Sequence, residues 1–340
     1  MKKVNSKKTT RKNISILMIL LLVTLFTLSG CGSSEENSSE SEMKKIGIMQ
    51  FGEFDALENA RKGFVDGLAE AGYVEGENVT FNYLSAAADT ANCPTIADTL
   101  INDNSDLILA IATPSASAIK EKTTTIPVVF TAVTDPASSG LVATNDAPGG
   151  NLTGTSDMNP VKEQIALGKQ LIPDAKKVAI MYCSSESNSK VQANLAEEAI
   201  KDAGMTSVIK TISAIDEAKS AVESLKGQVD FIYIPTDNTL ADGMTTVAAA
   251  AKECGLPTIC GEQGMIASGG FATYGIDYYS LGKTTAAMAV QILKGEADPA
   301  SMPVQYQPAE DLQVAINTET ADALGITIPE DLKGTATLLP

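Results

Sequence analysis

A strand-to-helix turn at Thr113-Pro114-Ser115 has the residue types that suit an anion-binding site. It follows the apolar run 107–112, which predicts a buried strand. Thr is a good N-cap and Pro is favoured in the first helical turn, so a helix should begin here. The free N–H groups and positive dipole end of that helix attract a carboxylate, and the hydroxyls of Thr113 and Ser115 add donors. The turn could equally be a structural cap with nothing bound.

The next strand ends in a similar turn. The apolar run 128–133 leads directly into Thr134 and Asp135. Asp135 is expected to cap its own helix and so to occupy part of the dipole. We therefore expect the ligand to contact the peptide that runs from Ala132 through Val133 to Thr134. Because ligands of doubly wound folds bind beyond the carboxyl ends of the strands, the two turns together favour a carboxylate site.

Three acids follow predicted strands in the second half of the chain. They are Asp237, Glu262 and Asp277, and Asn238 stands beside the first of them. Any of the three could hold an ammonium group opposite the two turns described above. Asp237 and Asp277 also precede predicted helices, where either could instead be an N-cap. The sequence leaves open which acid binds the ammonium group.

Aromatic residues at strand ends are candidates for contact with the ligand side chain. The chain has eight Phe, eight Tyr and no Trp, so each such position is informative. Phe51 and Phe54 follow the first predicted strand next to Gln50, and Tyr182 ends the first strand of the second half. Ring faces at these places could pack against an apolar or aromatic group. We expect these four residues to lie at the ligand site.

Several kinds of catalytic site are excluded. The chain contains no histidine, which removes Ser-His-Asp and Cys-His catalysis and every zinc site that needs imidazole. It also has no GxGxxG turn, Walker loop, EF-hand loop or nucleophile elbow. We therefore expect neither an enzyme nor a bound cofactor or metal. The cysteines after residue 31 form no CxxC motif. Cys254 and Cys260 could pair, and the alternative is that Cys93, Cys183, Cys254 and Cys260 are all free thiols.

An α/β fold must position these residues, because short β-branched runs alternate with longer amphipathic runs from residue 45 onward. The predicted strands are 46–51, 79–84, 106–112, 127–131, 177–182, 207–211, 230–234, 257–260, 270–275 and 313–316. The predicted helices are 57–71, 94–102, a short one from 114, 162–171, 190–203, 216–225, 239–254 and 281–293. Two consecutive βαβαβ sets of similar length predict two doubly wound lobes with parallel sheets.

The lobe boundaries follow from this order of elements. We assign 46–160 and 278–298 to the N-terminal lobe, and 161–277 and 299–335 to the C-terminal lobe, with crossover strands joining them. The carboxyl ends of both sheets then face each other across one cleft. The candidate anion-binding turns lie on one side of that cleft, and the candidate acids lie on the other.

The N-terminal segment has the pattern of a secretory signal. Residues 1–13 carry six basic residues and no acid, and the apolar core 14–28 is 15 residues long. A spanning helix needs ~20 apolar residues, so residues 1–30 are interpreted as a signal peptide. The run Leu28-Ser29-Gly30-Cys31 resembles the lipobox of bacterial lipoproteins, in which the cysteine is lipidated. An ordinary signal peptide with a chance cysteine is the alternative. Residues 31–45 are then a polar, disordered tether.

The charge of the remaining chain argues against nucleic acid as a partner. Without residues 1–30 the protein loses six positive charges, so its net charge changes from −17 to −23. A strongly acidic surface repels phosphate backbones. We expect a monomeric, extracytoplasmic protein that is held to the cell membrane by a lipid anchor.

Motifs spread over residues 45–329 carry a resemblance to a known family. They are Phe54-Asp55-Ala56-Leu57, Arg61-Lys62-Gly63-Phe64, Gly72-Tyr73-Val74-Glu75-Gly76-Glu77-Asn78, the run from Ile126 to Pro136, Gly140-Leu141-Val142, the run from Pro148 to Gly154, Tyr274-Gly275-Ile276-Asp277-Tyr278 and Ile316-Asn317. In these motifs the chain resembles the ABC-transporter substrate-binding lipoproteins of the tryptophan/tyrosine-binding type.

The resemblance implies a type I periplasmic-binding-protein fold, a Venus flytrap that delivers a small solute to a permease and an ATPase. It implies that the ligand carboxylate meets the turns at 113–115 and 132–134. Members with known ligands bind aromatic amino acids, which implies an amino acid here. Phe54-Asp55-Ala56-Leu57 replaces a more usual His-Pro-Ala-Leu, so the side-chain pocket stays undefined. A ligand-sensing lipoprotein of the same fold, feeding a signalling partner, is the alternative, and the sequence does not separate the two.

Overall fold

The computed structural model describes residues 43–340. The predicted signal peptide, Cys31 and all but the last three residues of the predicted tether lie outside this part of the chain. Within residues 43–340, every helix is too short or too polar to span a bilayer. Two α/β lobes, each built on its own sheet, make up the described chain. The predicted two-lobe α/β architecture is therefore confirmed.

The N-terminal lobe starts with alternating strands and helices. In chain order these are β1 (Lys44–Gln50), α1 (Asp55–Glu70), β2 (Val79–Ser85), α2 (Cys93–Asn102), β3 (Leu107–Ile111), α3 (Thr113–Lys122), β4 (Val128–Val133) and β5 (Leu152–Ser156). Every residue of β3 and β4 is buried. Strands that are covered on both faces of a parallel sheet read as unbroken apolar runs, which is why the sequence indicated both of them.

The C-terminal lobe repeats this arrangement. Its elements are α4 (Val161–Leu171), β6 (Lys177–Cys183), α5 (Ser187–Asp202), β7 (Thr206–Ile212), α6 (Ala218–Leu225), β8 (Phe231–Ile234), α7 (Asn238–Asp242), α8 (Met244–Cys254), β9 (Thr258–Cys260), α9 (Gln263–Ala267) and β10 (Ala272–Gly275). The predicted helix 239–254 is divided at Gly243. A Cβ atom there would lie 2.1 Å from Ile215 Cδ1, so any larger residue would require the Ile215 side chain to move.

The rest of the chain returns to both lobes. It forms α10 (Tyr278–Leu293), β11 (Gln305–Tyr306), β12 (Gln313–Asn317), α11 (Thr318–Leu324), α12 (Glu330–Lys333) and β13 (Thr337–Leu339). Helix α10 packs closely on α1, because glycines let the two backbones approach. A Cβ atom on Gly63 would lie 2.0 Å from the Tyr279 carbonyl oxygen, and one on Gly282 would lie 2.1 Å from that of Ala60.

The two sheets show how the chain crosses between lobes. The first has six parallel strands in the order β11-β5-β4-β3-β1-β2, and the second has seven in the order β13-β12-β10-β9-β8-β6-β7. In the second sheet β12 runs antiparallel to β10. The chain therefore passes between lobes after β5, after β10 and after β11.

One predicted lobe boundary needs correction. Residues 299–335 were assigned to the C-terminal lobe, but β11 pairs with β5 in the N-terminal sheet. Met302 and Val304 are buried in the core of that lobe, and Thr153 Oγ1 donates to the Met302 carbonyl at 2.7 Å. The segment up to Tyr306 thus packs with the N-terminal lobe, because its apolar side chains complete that core.

The turn after β4 also differs from its prediction. Residues 134–142 form turns and bends, so no helix follows Asp135. Asp135 instead accepts a hydrogen bond from the Ser138 N–H at 3.2 Å, within the turn. The four cysteines in the described chain, Cys93, Cys183, Cys254 and Cys260, are free thiols, so a Cys254–Cys260 bond is not formed.

Candidate ligand-binding cleft

Strand ends from both sheets meet at a cavity between the lobes. It is narrow in this arrangement of the lobes and encloses about 10 Å³, which is room for roughly one water molecule. One side is lined by Phe54, Ala56, Leu57, Ala132, Thr134, Asp157 and Tyr278. The C-terminal lobe lines the other side with Asn188, Thr236, Asp237, Asn238, Ala241 and Glu262. A small solute that binds between these two walls contacts both lobes.

Six of the thirteen predicted ligand-binding residues line this cavity. They are Phe54, Ala132, Thr134, Asp237, Asn238 and Glu262. At the end of β4, Ala132 and Thr134 line the cavity, whereas Val133 is buried in the lobe core and does not line it. Ala132 has φ 55°, in the left-handed region that non-glycine residues rarely adopt. Such backbone strain is concentrated at functional sites.

Gln50 and Phe51 lie outside the lining of this cavity. Gln50 is fully buried, and its side-chain amide donates to the Gly52 carbonyl and to Glu58 Oε1, both at 2.7 Å. Its own Oε1 is buried without a hydrogen-bond partner in the described chain. Phe51 packs in the core of the N-terminal lobe and borders a groove that residues of both lobes line.

The turn at Thr113-Pro114-Ser115 is also displaced from the cavity. It opens α3, but Thr113 borders a second groove, and the N-cap is Ala112 with φ 77°. Ser115 is fully buried, and its hydroxyl has no hydrogen-bond partner in the described chain. Helix α3 thus begins one residue earlier than a Thr113 cap would require, and neither Thr113 nor Ser115 reaches the cavity.

Tyr182 and Asp277 are likewise not brought to the cavity. Tyr182 is partly buried against the C-terminal core. Asp277 is exposed and is the N-cap of α10, where it accepts from the N–H groups of Tyr279 at 3.0 Å and Ser280 at 3.4 Å. Its own N–H donates to Gln307 Oε1 at 2.9 Å, which joins two of the three crossovers. The capping alternative therefore describes Asp277 in this structure.

Asp157, which the sequence analysis missed, is the acid with a free oxygen in the cavity. It is almost completely buried at the end of β5, and Tyr278 Oη donates to its Oδ2 at 2.7 Å. Its Oδ1 is buried without a hydrogen-bond partner in residues 43–340. Burial raises the pKa of this carboxyl, while the hydrogen bond from Tyr278 acts against the increase. A cationic donor at Oδ1 would stabilise the charged form.

Asp157 was missed because β5 was missed. The strand reads Leu-Thr-Gly-Thr-Ser, which has little apolar character, yet all five residues are buried. Its hydroxyls are paired inside the lobe, with Thr155 Oγ1 at 3.0 Å from Thr131 Oγ1 and 2.8 Å from Thr285 Oγ1. Burial of paired threonines escapes a hydrophobic-pattern search. A β-branched run that ends in Ser156-Asp157 after Pro148-Gly149-Gly150 was the available signal.

Asp237 lines the cavity but is already fully engaged by its own lobe. It accepts from the N–H groups of Cys183 at 2.7 Å and Leu240 at 2.9 Å, the latter as the N-cap of α7. Burial, and next the neighbouring Glu186 carboxylate, raise the pKa of Asp237 well above its usual range. Glu186 itself accepts from the N–H groups of Asn238 and Thr239 at 2.9 and 2.8 Å.

Glu262 is occupied in the same way. It is the N-cap of α9 and accepts from the N–H groups of Gly264 and Met265. Burial raises the pKa of Glu262 to about 7, although the two N–H bonds favour the charged form. Both acids therefore stabilise helix starts in the C-terminal lobe, and neither offers an unpaired oxygen like Asp157 Oδ1.

The start of α1 is the opposite case. Its N-cap is Phe54, whose side chain makes no capping bond, and no group in the described chain accepts from the N–H of Ala56 or Leu57. These residues line the cavity. A 16-residue helix thus directs uncapped N–H groups at the ligand space, and Asp55 and Glu58 in its first turn offset part of its positive dipole end. Phe54 also packs against the cores of both lobes.

The cavity lining contains three carboxyl groups and no Lys or Arg. Positive character comes only from backbone N–H groups such as those of α1. In the described part of the chain, no group of three or more acidic or Cys residues is placed to hold a metal ion. This arrangement suits a ligand that carries an ammonium group and a carboxylate that backbone groups can bind.

Comparison with known proteins gives one consistent family. A family model described as ABC transporter substrate binding protein matches residues 45–338. The tyrosine-binding protein of Clostridioides difficile (strain R20291) is 36% identical over 321 residues, which cover 92% of each chain.

Two solved structures are similar at comparable identity. An ABC domain from Streptococcus pneumonia in complex with L-Trp is 36% identical with a TM-score of 0.84, covering 88% of this chain and 100% of that chain. The ligand-free, open structure of a substrate-binding protein with adhesive properties from Clostridium difficile is 39% identical with a TM-score of 0.68, covering 87% and 99%.

The lobe arrangement agrees better with the ligand-bound relative. The open structure superposes less well on this chain than the L-Trp complex does, despite its higher identity. The fold, the cleft between its lobes and a family match over nearly the whole described chain agree. The chain therefore belongs to the ABC transporter substrate-binding proteins, which work outside the cytoplasm and deliver small solutes to a membrane transporter.

Proposed function

We propose that this protein captures an aromatic α-amino acid in the cavity and delivers it to an ABC permease and ATPase for import. The two lobes that close on the ligand are residues 46–160 with 278–306 and residues 161–277 with 307–335. The family match favours import over a signalling role. The names of two relatives, a tyrosine-binding protein and an L-Trp complex, support an aromatic amino acid.

The free Oδ1 of Asp157 is the observation that carries the proposal. A buried carboxylate oxygen without a partner is costly unless something fills the site. Tyr278 holds the other oxygen from inside the lobe, so Oδ1 is available to the ligand. An ammonium group bound there would form a charge-assisted hydrogen bond in a site that excludes water.

The ligand carboxylate is assigned to backbone N–H groups of the N-terminal lobe. The uncapped start of α1, at Ala56 and Leu57, and the turn from Ala132 to Thr134 both border the cavity. This revises the predicted pair of turns, because α1 replaces the turn at 113–115. A helix N-terminus binds a carboxylate through its dipole and free N–H groups without any basic side chain.

The ring of the ligand is assigned to the apolar part of the lining. Phe54 and Leu57 from one lobe and Ala241 from the other border the cavity. An aromatic ring packed on Phe54 gains from ring contact in addition to burial of its area. Asp237, Asn238 and Glu262 then shape the opposite wall, while their charges are held by the starts of α7 and α9.

Thermal unfolding with a ligand panel tests this proposal. L-tyrosine, L-tryptophan and L-phenylalanine should raise the unfolding temperature of residues 31–340. At a ligand concentration a hundredfold above Kd, the free energy of unfolding should increase by about 2.7 kcal/mol. Tyramine lacks the carboxylate and N-acetyl-tyrosine lacks the ammonium group, so both should fail to stabilise. Stabilisation by non-aromatic amino acids alone would contradict the aromatic assignment, and stabilisation by none would contradict the amino-acid assignment.

Membrane attachment and transport are separate parts of the proposal. We assign the lipid to Cys31, which follows a leader of the type that is cleaved before such a cysteine. Replacement Cys31→Ser should abolish labelling by a radioactive fatty acid and release the protein from the membrane fraction. Unchanged labelling would exclude Cys31. Bound ligand should be recovered chemically unaltered, and the protein should sediment as a monomer.

A further inference from the structure

A buried glutamine on α5 joins the two lobes beside the cavity. Gln192 is fully buried, and its Nε2 donates across the cleft to Thr134 Oγ1 at 3.3 Å. Its Oε1 accepts from Thr236, through the N–H at 3.3 Å and the hydroxyl at 3.1 Å. Thr134 lies at the end of β4 in one lobe, and Thr236 follows β8 in the other. One side chain thus bonds to two cavity-lining residues of different lobes.

The contact with Thr134 is connected to the ligand space. A threonine hydroxyl has one proton to donate, and its lone pairs can accept. Because Thr134 accepts from Gln192, its own proton remains free for a group in the cavity that Thr134 lines. The donors therefore form a chain that runs from Gln192 through Thr134 towards the cavity.

The bonds of Thr236 extend the network to the crossover. Asn159 Nδ2 donates to Thr236 Oγ1 at 3.0 Å, and Asn159 lies in the segment that joins β5 to α4. Asn188 Nδ2 donates to the Thr236 carbonyl at 2.9 Å. The crossover segment and α5 thus hold Thr236 in place. Gln192 bonds to Thr236 within its own lobe, so its side chain reaches Thr134 of the other lobe only when the lobes are closed.

We infer that Gln192 is a positioning residue that links occupation of the cavity to lobe closure. A ligand carboxylate beside the turn from Ala132 to Thr134 accepts the proton of the Thr134 hydroxyl, which leaves a lone pair of that hydroxyl for Gln192. The cross-lobe bond then forms part of the closed state and slows ligand release. Gln192 lies outside the cavity lining and acts through Thr134. This inference rests on the proposed function, because it names the ligand group that Thr134 meets.

A double-mutant cycle with two near-isosteric changes tests the link. Gln192→Met keeps the packing and removes all three hydrogen bonds of the side chain, and Thr134→Val removes the hydroxyl. Each single change should raise the release rate of labelled L-tyrosine or L-tryptophan about two- to tenfold, while the association rate stays constant. The double variant should release no faster than the faster single variant, because both changes remove the same bond. Asn194→Ala, exposed on the same helix, is the control and should behave as wild type.

Two results would overturn the inference. If the release rate of the double variant increases by the product of the two single increases, Gln192 and Thr134 act independently. A release rate unchanged in Gln192→Met would show that the bond does not hold the closed state. If the wild-type protein binds no amino acid, the proposed function fails by itself. In that case, hydrogen exchange of residues 130–136 tests whether Gln192 holds Thr134 across the cleft. Gln192→Met, in the opposite lobe, should make this exchange faster. Unchanged exchange would overturn the inference.

Discussion

The two lobes present helix starts to the same cleft in opposite electrostatic states. In the N-terminal lobe, α1 and α3 begin at Phe54 and Ala112, neither of which has a capping side chain. In the C-terminal lobe, α7 and α9 begin at Asp237 and Glu262, whose carboxylates accept from the first turns. Of these four helix starts, the two in the N-terminal lobe have no capping side chain, while the N–H groups of the two in the C-terminal lobe are already bonded to their own acids.

The comparison shows why the position of an acid does not identify its role. Asp237, Glu262 and Asp277 all follow strands and resemble ammonium ligands in the sequence, yet each caps the helix that it precedes. Asp157 follows a strand that is not continued by a helix at once, so its carboxylate has no N-terminus to cap. One of its oxygens remains unpaired at the cavity.

The largest expected effect comes from removing the free oxygen's charge. Asp157→Asn keeps the shape of the side chain but loses the partner of the ligand ammonium. Truncating one partner of a buried, hydrogen-bonded charge pair costs about 2–5 kcal/mol, so the affinity for the aromatic amino acid should fall at least about thirtyfold by calorimetry. Asp237→Asn and Glu262→Gln are matched controls and should stay within about threefold of wild type. Equal losses in all three would remove the distinction between Asp157 and the capping acids.

Giving α1 the cap that α7 and α9 already have should make the two lobes alike. Phe54→Asp places a carboxylate at the N-cap, which competes with the ligand carboxylate for the same N–H groups. We expect an affinity loss larger than that of Phe54→Leu, which removes the ring without adding a cap. Thermal unfolding should show Phe54→Asp to be more stable than Phe54→Leu by about 1 kcal/mol, the usual size of an N-cap effect. Equal affinities for the two variants would place the ligand carboxylate elsewhere.

The pH dependence of stability tests the protonation of Glu262, one of the capping acids of the C-terminal lobe. Burial raises the pKa of Glu262 from 4.5 to about 7, so the folded state holds this proton more tightly than the unfolded state. The stabilisation is therefore present below pH 4.5 and is lost as the pH rises towards about 7. Urea unfolding across this window should show the loss, and Glu262→Gln should reduce the slope by up to about 1.4 kcal/mol per pH unit. An unchanged slope would mean that Glu262 does not titrate there.

The smallest effect on binding is expected at Asp277. Asp277→Ala removes the cap of α10 and should lower the free energy of unfolding by about 1 kcal/mol. The affinity should remain within about twofold, because the side chain is exposed and does not line the cavity. A large loss of affinity at unchanged stability would return Asp277 to the ligand site.

Elements with a strong hydrophobic pattern were predictable, and those held by paired hydroxyls were not. Strands β1, β3, β4 and β6 and helices α1, α4 and α10 lie within a few residues of their predicted positions. The strand β5 was missed because its buried threonines satisfy one another only in three dimensions. Asp157, the acid on which the proposed site depends, directly follows β5 and was therefore not predicted either.

The sequence by itself determined the α/β class, the two lobes, the lack of imidazole chemistry and six residues of the cavity lining. These follow from periodicity and composition, which act locally along the chain. Only the tertiary structure decided which acids are free, because a carboxylate is either consumed by a nearby helix start or left unpaired according to its orientation. It also decided that α1 provides the uncapped N-terminus at the ligand and that Gln192 bridges the lobes. Both depend on contacts between residues far apart in the chain, which no local pattern records.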